Sequence, residues 1–171
     1  ARLALDQDGR VAVRRAAQGA LQPPHGGAVA DQYRTVVQPL AQVHAQPLFV
    51  GGAINGRDAL YVATERNTLY ALDASTGAVI WSRNYGVPFD QVAPRAGFVP
   101  CSSSINPVAG ITSTPALDLS THTIYFVAKR DTGDDPAAPS NGAAFELHAV
   151  DMFSGAERAG SPVRIEATIT R

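Results

Sequence analysis

"LYALDASTGAVIW", Leu69 to Trp81, reads as a strand, a tight turn and the start of a second strand. Successive side chains from Leu69 to Leu72 alternate between the two faces of a pleated ribbon, with the small Ala71 among larger neighbours. Asp73 ends that run, and its carboxylate can accept hydrogen bonds from the backbone N–H groups of the following turn, as in Asx turns. Gly77 supplies the positive φ that closes the hairpin without a Cβ clash. Trp81 then falls on the returning strand, where it covers a seam toward a neighbouring sheet.

The same phrase returns. "ALDASTG" (Ala71–Gly77) reappears as "AVDMFSG" (Ala149–Gly155), and a shorter copy opens the chain as "ALDQDGRVAV" (Ala4–Val13). Before the Asp73 copy come "PLFVGG" (Pro47–Gly52) and "ALYVATE" (Ala59–Glu65); around it lie "TLYALDA" (Thr68–Ala74) and "AVIWSRNYG" (Ala78–Gly86). Short, β-branched or aromatic runs bounded by turn residues predict four antiparallel strands, with Arg66–Asn67 and Ser75–Thr76–Gly77 as hairpin turns. A second set follows the same order: "STPALDLS" (Ser113–Ser120), "TIYFVAKR" (Thr123–Arg130), "FELHAVDM" (Phe145–Met152) and "PVRIEATI" (Pro162–Ile169). "DTGDDPAAPSNGAA" (Asp131–Ala144) has the composition of an inserted surface loop. The fold class is therefore all-β: consecutive four-stranded antiparallel meanders of the kind that form propeller blades, about two blades plus part of a preceding one. The expected organisation is the end of a blade over 1–20, a crossing segment over 21–44, a full blade over 45–90, an inter-blade loop over 91–112, and a second blade over 113–171 with its insertion at 131–144.

Composition narrows the function classes. The 171 residues carry 14 basic and 15 acidic side chains, and the only adjacent cations are the pairs Arg14–Arg15 and Lys129–Arg130, so no basic stripe marks a nucleic-acid or anionic-membrane partner. No apolar run reaches the ~18 residues needed to cross a bilayer as a helix. The opening residues show no signal-peptide pattern. Cys101 is the single cysteine, so neither an intrachain disulfide nor a cysteine metal cluster is expected.

The repeat resembles that of the quinoprotein-type β-propellers, related to the pyrroloquinoline-quinone dehydrogenases. The pattern Ala-x-Asp-x-x-Thr-Gly-x-x-x-Trp matches at Ala71, Asp73, Thr76, Gly77 and Trp81, and "GITSTPALD" (Gly110–Asp118) is similar to the opening of a blade. The resemblance covers most of Ala45–Ala167, with a blade fragment at Ala4–Val13. It implies that Trp81 docks one blade on the next. The second copy, Ala149, Asp151 and Gly155, departs from the pattern, with Ala159 in the Trp place and Phe153 inside the turn. It also implies a propeller of more blades than this chain holds, so further blades of the same protein, or another chain, are the expected partners. Periplasmic or extracellular placement follows from the same resemblance.

Chemistry is harder to locate. In the dehydrogenase branch of that family the quinone sits in the central channel with calcium, against a Trp and a disulfide of adjacent cysteines, with an Asp as base. Here no adjacent cysteines occur, and no residue matches the calcium or base positions. Asp131, Asp134 and Asp135 cluster in the insertion but lack calcium-loop spacing. His25, His44, His122 and His148 show no paired spacing, "CSSSINP" (Cys101–Pro107) lacks a nucleophile elbow, and no Gly-rich phosphate loop is present. The reading is a non-catalytic propeller segment serving as scaffold or protein-interaction module, with no catalytic residue and no cofactor of its own. The alternatives are a fragment of a pyrroloquinoline-quinone dehydrogenase whose quinone, calcium and catalytic residues lie elsewhere, and a carbohydrate-binding or cell-envelope module using the inserted loops.

Overall fold

The computed structural model of the chain describes residues 2–5, 11–14, 42–91, 105, 107–133 and 142–166. Among them every regular element is a β-strand. The chain divides into two compact units, Ala1–Leu40 and Ala41–Arg171. In the first, β1 (Arg2–Leu5) and β2 (Val11–Arg14) form an antiparallel pair, with Leu5 opposite Val11.

The second unit holds two antiparallel four-stranded sheets. The first runs in chain order through β3 (Leu48–Ile54), β4 (Arg57–Ala63), β5 (Thr68–Asp73) and β6 (Val79–Asn84). Two-residue strands β7 (Phe89–Asp90) and β8 (Val108–Ala109) then pair with each other. The second sheet repeats the meander through β9 (Ala116–Asp118), β10 (Thr123–Asp131), β11 (Ala143–Asp151) and β12 (Val163–Arg164).

Local chemistry sets the turns. Between β3 and β4 stand Asn55 and Gly56 with φ 52° and 75°. Two consecutive positive values close a two-residue hairpin, and Asn-Gly tolerates them best. Asp73 Oδ1 accepts the N–H groups of Ser75 at 2.9 Å and Thr76 at 3.0 Å, and Gly77 takes φ 76°. Asp151 Oδ1 does the same for Phe153 and Ser154, each at 3.0 Å, and Gly155 takes φ 69°. The device also occurs at Asp118, between β9 and β10, where Oδ1 accepts Ser120 N–H at 2.9 Å and Oδ2 accepts the Thr121 hydroxyl at 2.8 Å.

The strand bounds differ from expectation at three places. β10 runs through Asp131 and β11 begins at Ala143, so both ends of the expected insertion belong to the ladder. A second neighbour explains this: Pro88 bridges to Arg130 and Asp131 N–H donates to Val87 O, so β10 is gripped on both sides. The fourth strand of the second sheet is short, pairing only Val163 and Arg164 with β11 among the described residues. The expected loop over 91–112 contributes β8, pinned by the fully buried Phe89 opposite Ala109.

The core lies between the two sheets. Tyr61, Leu69 and Ala71 of the first pack with Ile124, Phe126, Ala128 and Val150 of the second, with Ile111 and Met152 joining them. Alternation puts Leu60, Val62 and Leu72 on the other side of the first sheet, in a smaller cluster with Val43, Tyr70 and Ala74.

Candidate functional site

The chemistry-bearing side chains of the second unit converge on the seam between its sheets. Met152 and Gly155, in the turn after β11, offer backbone carbonyls to the first sheet. Tyr61 Oη donates to Met152 O at 3.0 Å, Trp81 Nε1 donates to the same oxygen at 3.3 Å, and Tyr85 Oη donates to Gly155 O at 2.8 Å. Arg83 Nε adds a bond to Ser154 O at 3.2 Å. Strands β4 and β6 and the residue after β6 thus place three aromatic donors and one guanidinium on one turn. Burial, and then the charge of Asp151, push the Tyr61 phenol up to about 12. Tyr85 is raised as well, by burial and then by the Glu157 carboxylate, with Arg83 opposing. Both phenols therefore keep their protons at neutral pH and remain donors.

Gly155 is essential to this approach. A Cβ built on it would lie 2.8 Å from Trp81 Cζ3 and 2.7 Å from Arg83 Cγ, inside contact distance. A parallel contact closes the other end of the seam. Glu65, fully buried at the β4–β5 turn, accepts Gly110 N–H at 2.7 Å and the Thr112 hydroxyl at 3.0 Å. Asn67 Nδ2 donates to Lys129 O at 3.0 Å.

Beside the Gly155 turn opens a cleft of about 460 Å³ lined by Arg83, Asn84, Arg130, Glu146, His148 and Glu157 among others. The His148 ring is buried, stacked on Phe126 with centroids 4.9 Å apart and met edge-on by Tyr85 at 5.3 Å. Its Nδ1 lies 2.6 Å from Glu157 Oε1, and its Nε2 lies 3.8 Å from Glu146 Oε2. Arg130 Nη1 reaches both Glu146 oxygens at 2.9 Å. The Ser161 hydroxyl donates to Glu157 Oε2 at 2.5 Å and accepts Ala149 N–H at 2.7 Å.

A serine, a histidine and carboxylates in one cluster invite comparison with a nucleophilic triad, but the wiring is different. Nucleophile activation requires the base to reach the hydroxyl. Here the hydroxyl reaches Glu157, and the His148 ring lies on the far side of that carboxylate. Ser161 braces β11 against the segment leading to β12.

The residues singled out from the sequence fall into three groups. Ala71 and Ala149 lie within β5 and β11, and Asp73, Thr76, Gly77, Asp151 and Gly155 form the two repeat turns that follow, where Thr76 Oγ1 accepts Ala78 N–H at 3.2 Å, and Trp81 lies across the seam on the Gly155 turn. Asp131 Oδ1 accepts Gly133 N–H at 2.8 Å, while Asp134 and Asp135 lie outside the described residues, as do Cys101 and His25. Among the described residues no three His, Cys, Asp or Glu side chains are grouped to hold a metal ion. The His148–Glu157 contact was missed. Its signal was present, since aligning the repeats puts His148 in the place of Tyr70 and Glu157 in the place of Val79.

A scan against protein-family models finds no match, and a search of curated proteins finds none either. No helix among the described residues is long and apolar enough to cross a membrane.

Proposed function

We propose that this chain is a segment of a quinoprotein-like β-propeller and serves as a scaffold or protein-interaction module. The observation that carries this reading is the seam. Two meanders of identical strand order stack through Trp81, Tyr61 and Tyr85 on one Asx–Gly turn. Repeat proteins join units in this manner, each one burying its apolar face against the next. The polar groups at the seam are used for that join. The phenols and the indole hold carbonyls, Glu65 holds the β8-to-β9 segment, and Ser161 and Glu157 brace the second sheet.

The competing reading, a fragment of a pyrroloquinoline-quinone dehydrogenase, needs residues that hold the quinone and calcium. Among the described residues, no three His, Cys, Asp or Glu side chains are grouped to hold a metal ion. Titrating the full-length protein with pyrroloquinoline quinone and calcium, and following the quinone absorbance after gel filtration, separates the two. The scaffold reading expects no retained chromophore. Stoichiometric retention overturns it in favour of the dehydrogenase.

A further inference from the structure

Two polar atoms beside the seam take no part in the join. Arg130 Nε and His148 Nε2 are buried, and among the described residues neither has a hydrogen-bond partner. A buried polar atom in this state costs free energy until something satisfies it. Both residues line the cleft of about 460 Å³ beside the Gly155 turn. Both also flank the Glu146 carboxylate, with Arg130 Nη1 2.9 Å and His148 Nε2 3.8 Å from its Oε2. The His148 side chain is 3% exposed, whereas that of Arg130 is 36% exposed and gives the way in from solvent. The cleft volume falls within the ~300–1,000 Å³ of small-ligand sites.

The two atoms need opposite partners. Arg130 Nε–H is a donor. Glu157 Oε1 accepts from His148 Nδ1 at 2.6 Å, so in the neutral ring Nε2 is an acceptor. An anion would accept from Arg130 but face the Nε2 lone pair, and a cation would face the guanidiniums of Arg83 and Arg130. The charges around the cleft cancel, Arg83 and Arg130 against Glu146 and Glu157, so neither sign is drawn in. A hydroxyl donates and accepts at once, and matches both atoms. Arg83 bonds Ser154 O through Nε, at 3.2 Å, which leaves its Nη groups for further acceptors. Gly86, Gly155 and Ala156 add little bulk, and Pro162 gives an apolar wall suited to the C–H face of a sugar ring.

We infer that this cleft binds a neutral saccharide of one or two rings, one hydroxyl of which accepts from Arg130 Nε–H and donates to His148 Nε2. The site is built where the end of β6 meets β10, β11 and the turn after β11. It depends on that seam and not on the propeller reading, so either can fail without the other.

The test titrates the full-length protein with glucose, galactose, mannose, N-acetylglucosamine and their disaccharides, read by saturation-transfer NMR and calorimetry, beside an array of glycans that end in the same sugars. At least one sugar is expected to saturate with a Kd of about 1 mM or tighter, and to shift the ¹⁵N resonance of His148 Nε2. Binding of the free sugars assigns the site to soluble saccharides; binding on the array alone assigns it to the ends of larger glycans. Arg130→Lys keeps a positive charge opposite Glu146 but lacks the Nε–H, and is expected to weaken binding about tenfold. Ala156→Trp fills the cleft from an exposed position and is expected to abolish binding, which keeps the test open should Arg130→Lys fail to fold. No saturable binding of any of these sugars at about 50 mM, roughly fifty times that Kd, and none on the array, overturns the inference. So does binding that Ala156→Trp leaves unchanged, or saturation by phosphate or acetate in place of the sugars.

Discussion

At Gly155 the backbone takes φ 69°, and Trp81 and Arg83 lie where a Cβ would go. Gly160 has a similar φ of 83° with nothing within 4 Å of a Cβ, so it isolates the backbone part of the cost. Gly160→Ala is expected to lose about 1–2 kcal/mol from the left-handed conformation. Gly155→Ala is expected to lose a further 1–3 kcal/mol, roughly, from displacing the indole. Urea denaturation of the two variants measures the difference, and equal losses would contradict the close approach. Asp73 allows a pH test. The Ser75 hydroxyl, then the Thr76 N–H, hold its carboxyl at about 2, below the usual 3.8. Because the folded value is the lower one, the stabilisation is present above the ordinary value and fades as pH falls toward the folded one. The thermal midpoint of Asp73→Asn should therefore lie below that of the parent at pH 7, with the gap closing between roughly pH 4 and pH 2. A gap that persists at pH 2 would mean that shape, and not charge, sets the turn.

Between elements, the β4–β5 turn and the β8–β9 segment meet at Gly110. A Cβ there would lie 2.4 Å from the Glu65 carbonyl and 2.6 Å from Asn67 Oδ1, both buried. Gly110→Ala should cost about 1–3 kcal/mol by pushing the two apart. Tyr85→Phe should cost about 1 kcal/mol, since it leaves the Gly155 carbonyl without its buried donor. Chemical denaturation tests both. What the sequence disclosed at this scale was whatever is local. The Asx–Gly turns at Asp73 and Asp151 and the order of the strands follow from residues within a few positions of one another. Asn55–Gly56 carries an equally local signal, an Asn-Gly pair between two apolar runs. The β7–β8 pair was illegible because a two-residue strand has no period, and Phe89 is fixed by distant contacts. The His148–Glu157 contact needed the register across the β11 turn, and the grip of Val87 and Pro88 on β10 needed the fold itself.

Over the whole second unit, the seam joins two meanders that would each leave an apolar face to water if separated. The stacking direction was not legible in hydrophobic pattern alone, because both faces of each sheet are apolar; it emerged only when the repeats were aligned through their registers. Removing the half-buried indole in Trp81→Ala should cost about 2–4 kcal/mol. Trp81 is the only tryptophan, so its emission reports the seam alone. The most direct measurement follows that emission through a urea titration, beside the amide protection of Ile124, Phe126 and Val150 in the second sheet. If the sheets form one cooperative unit, both signals share a midpoint and a slope. Exposure of Trp81 at lower urea, while those amides stay protected, would show sheets that fold independently and would contradict the stacked-repeat account.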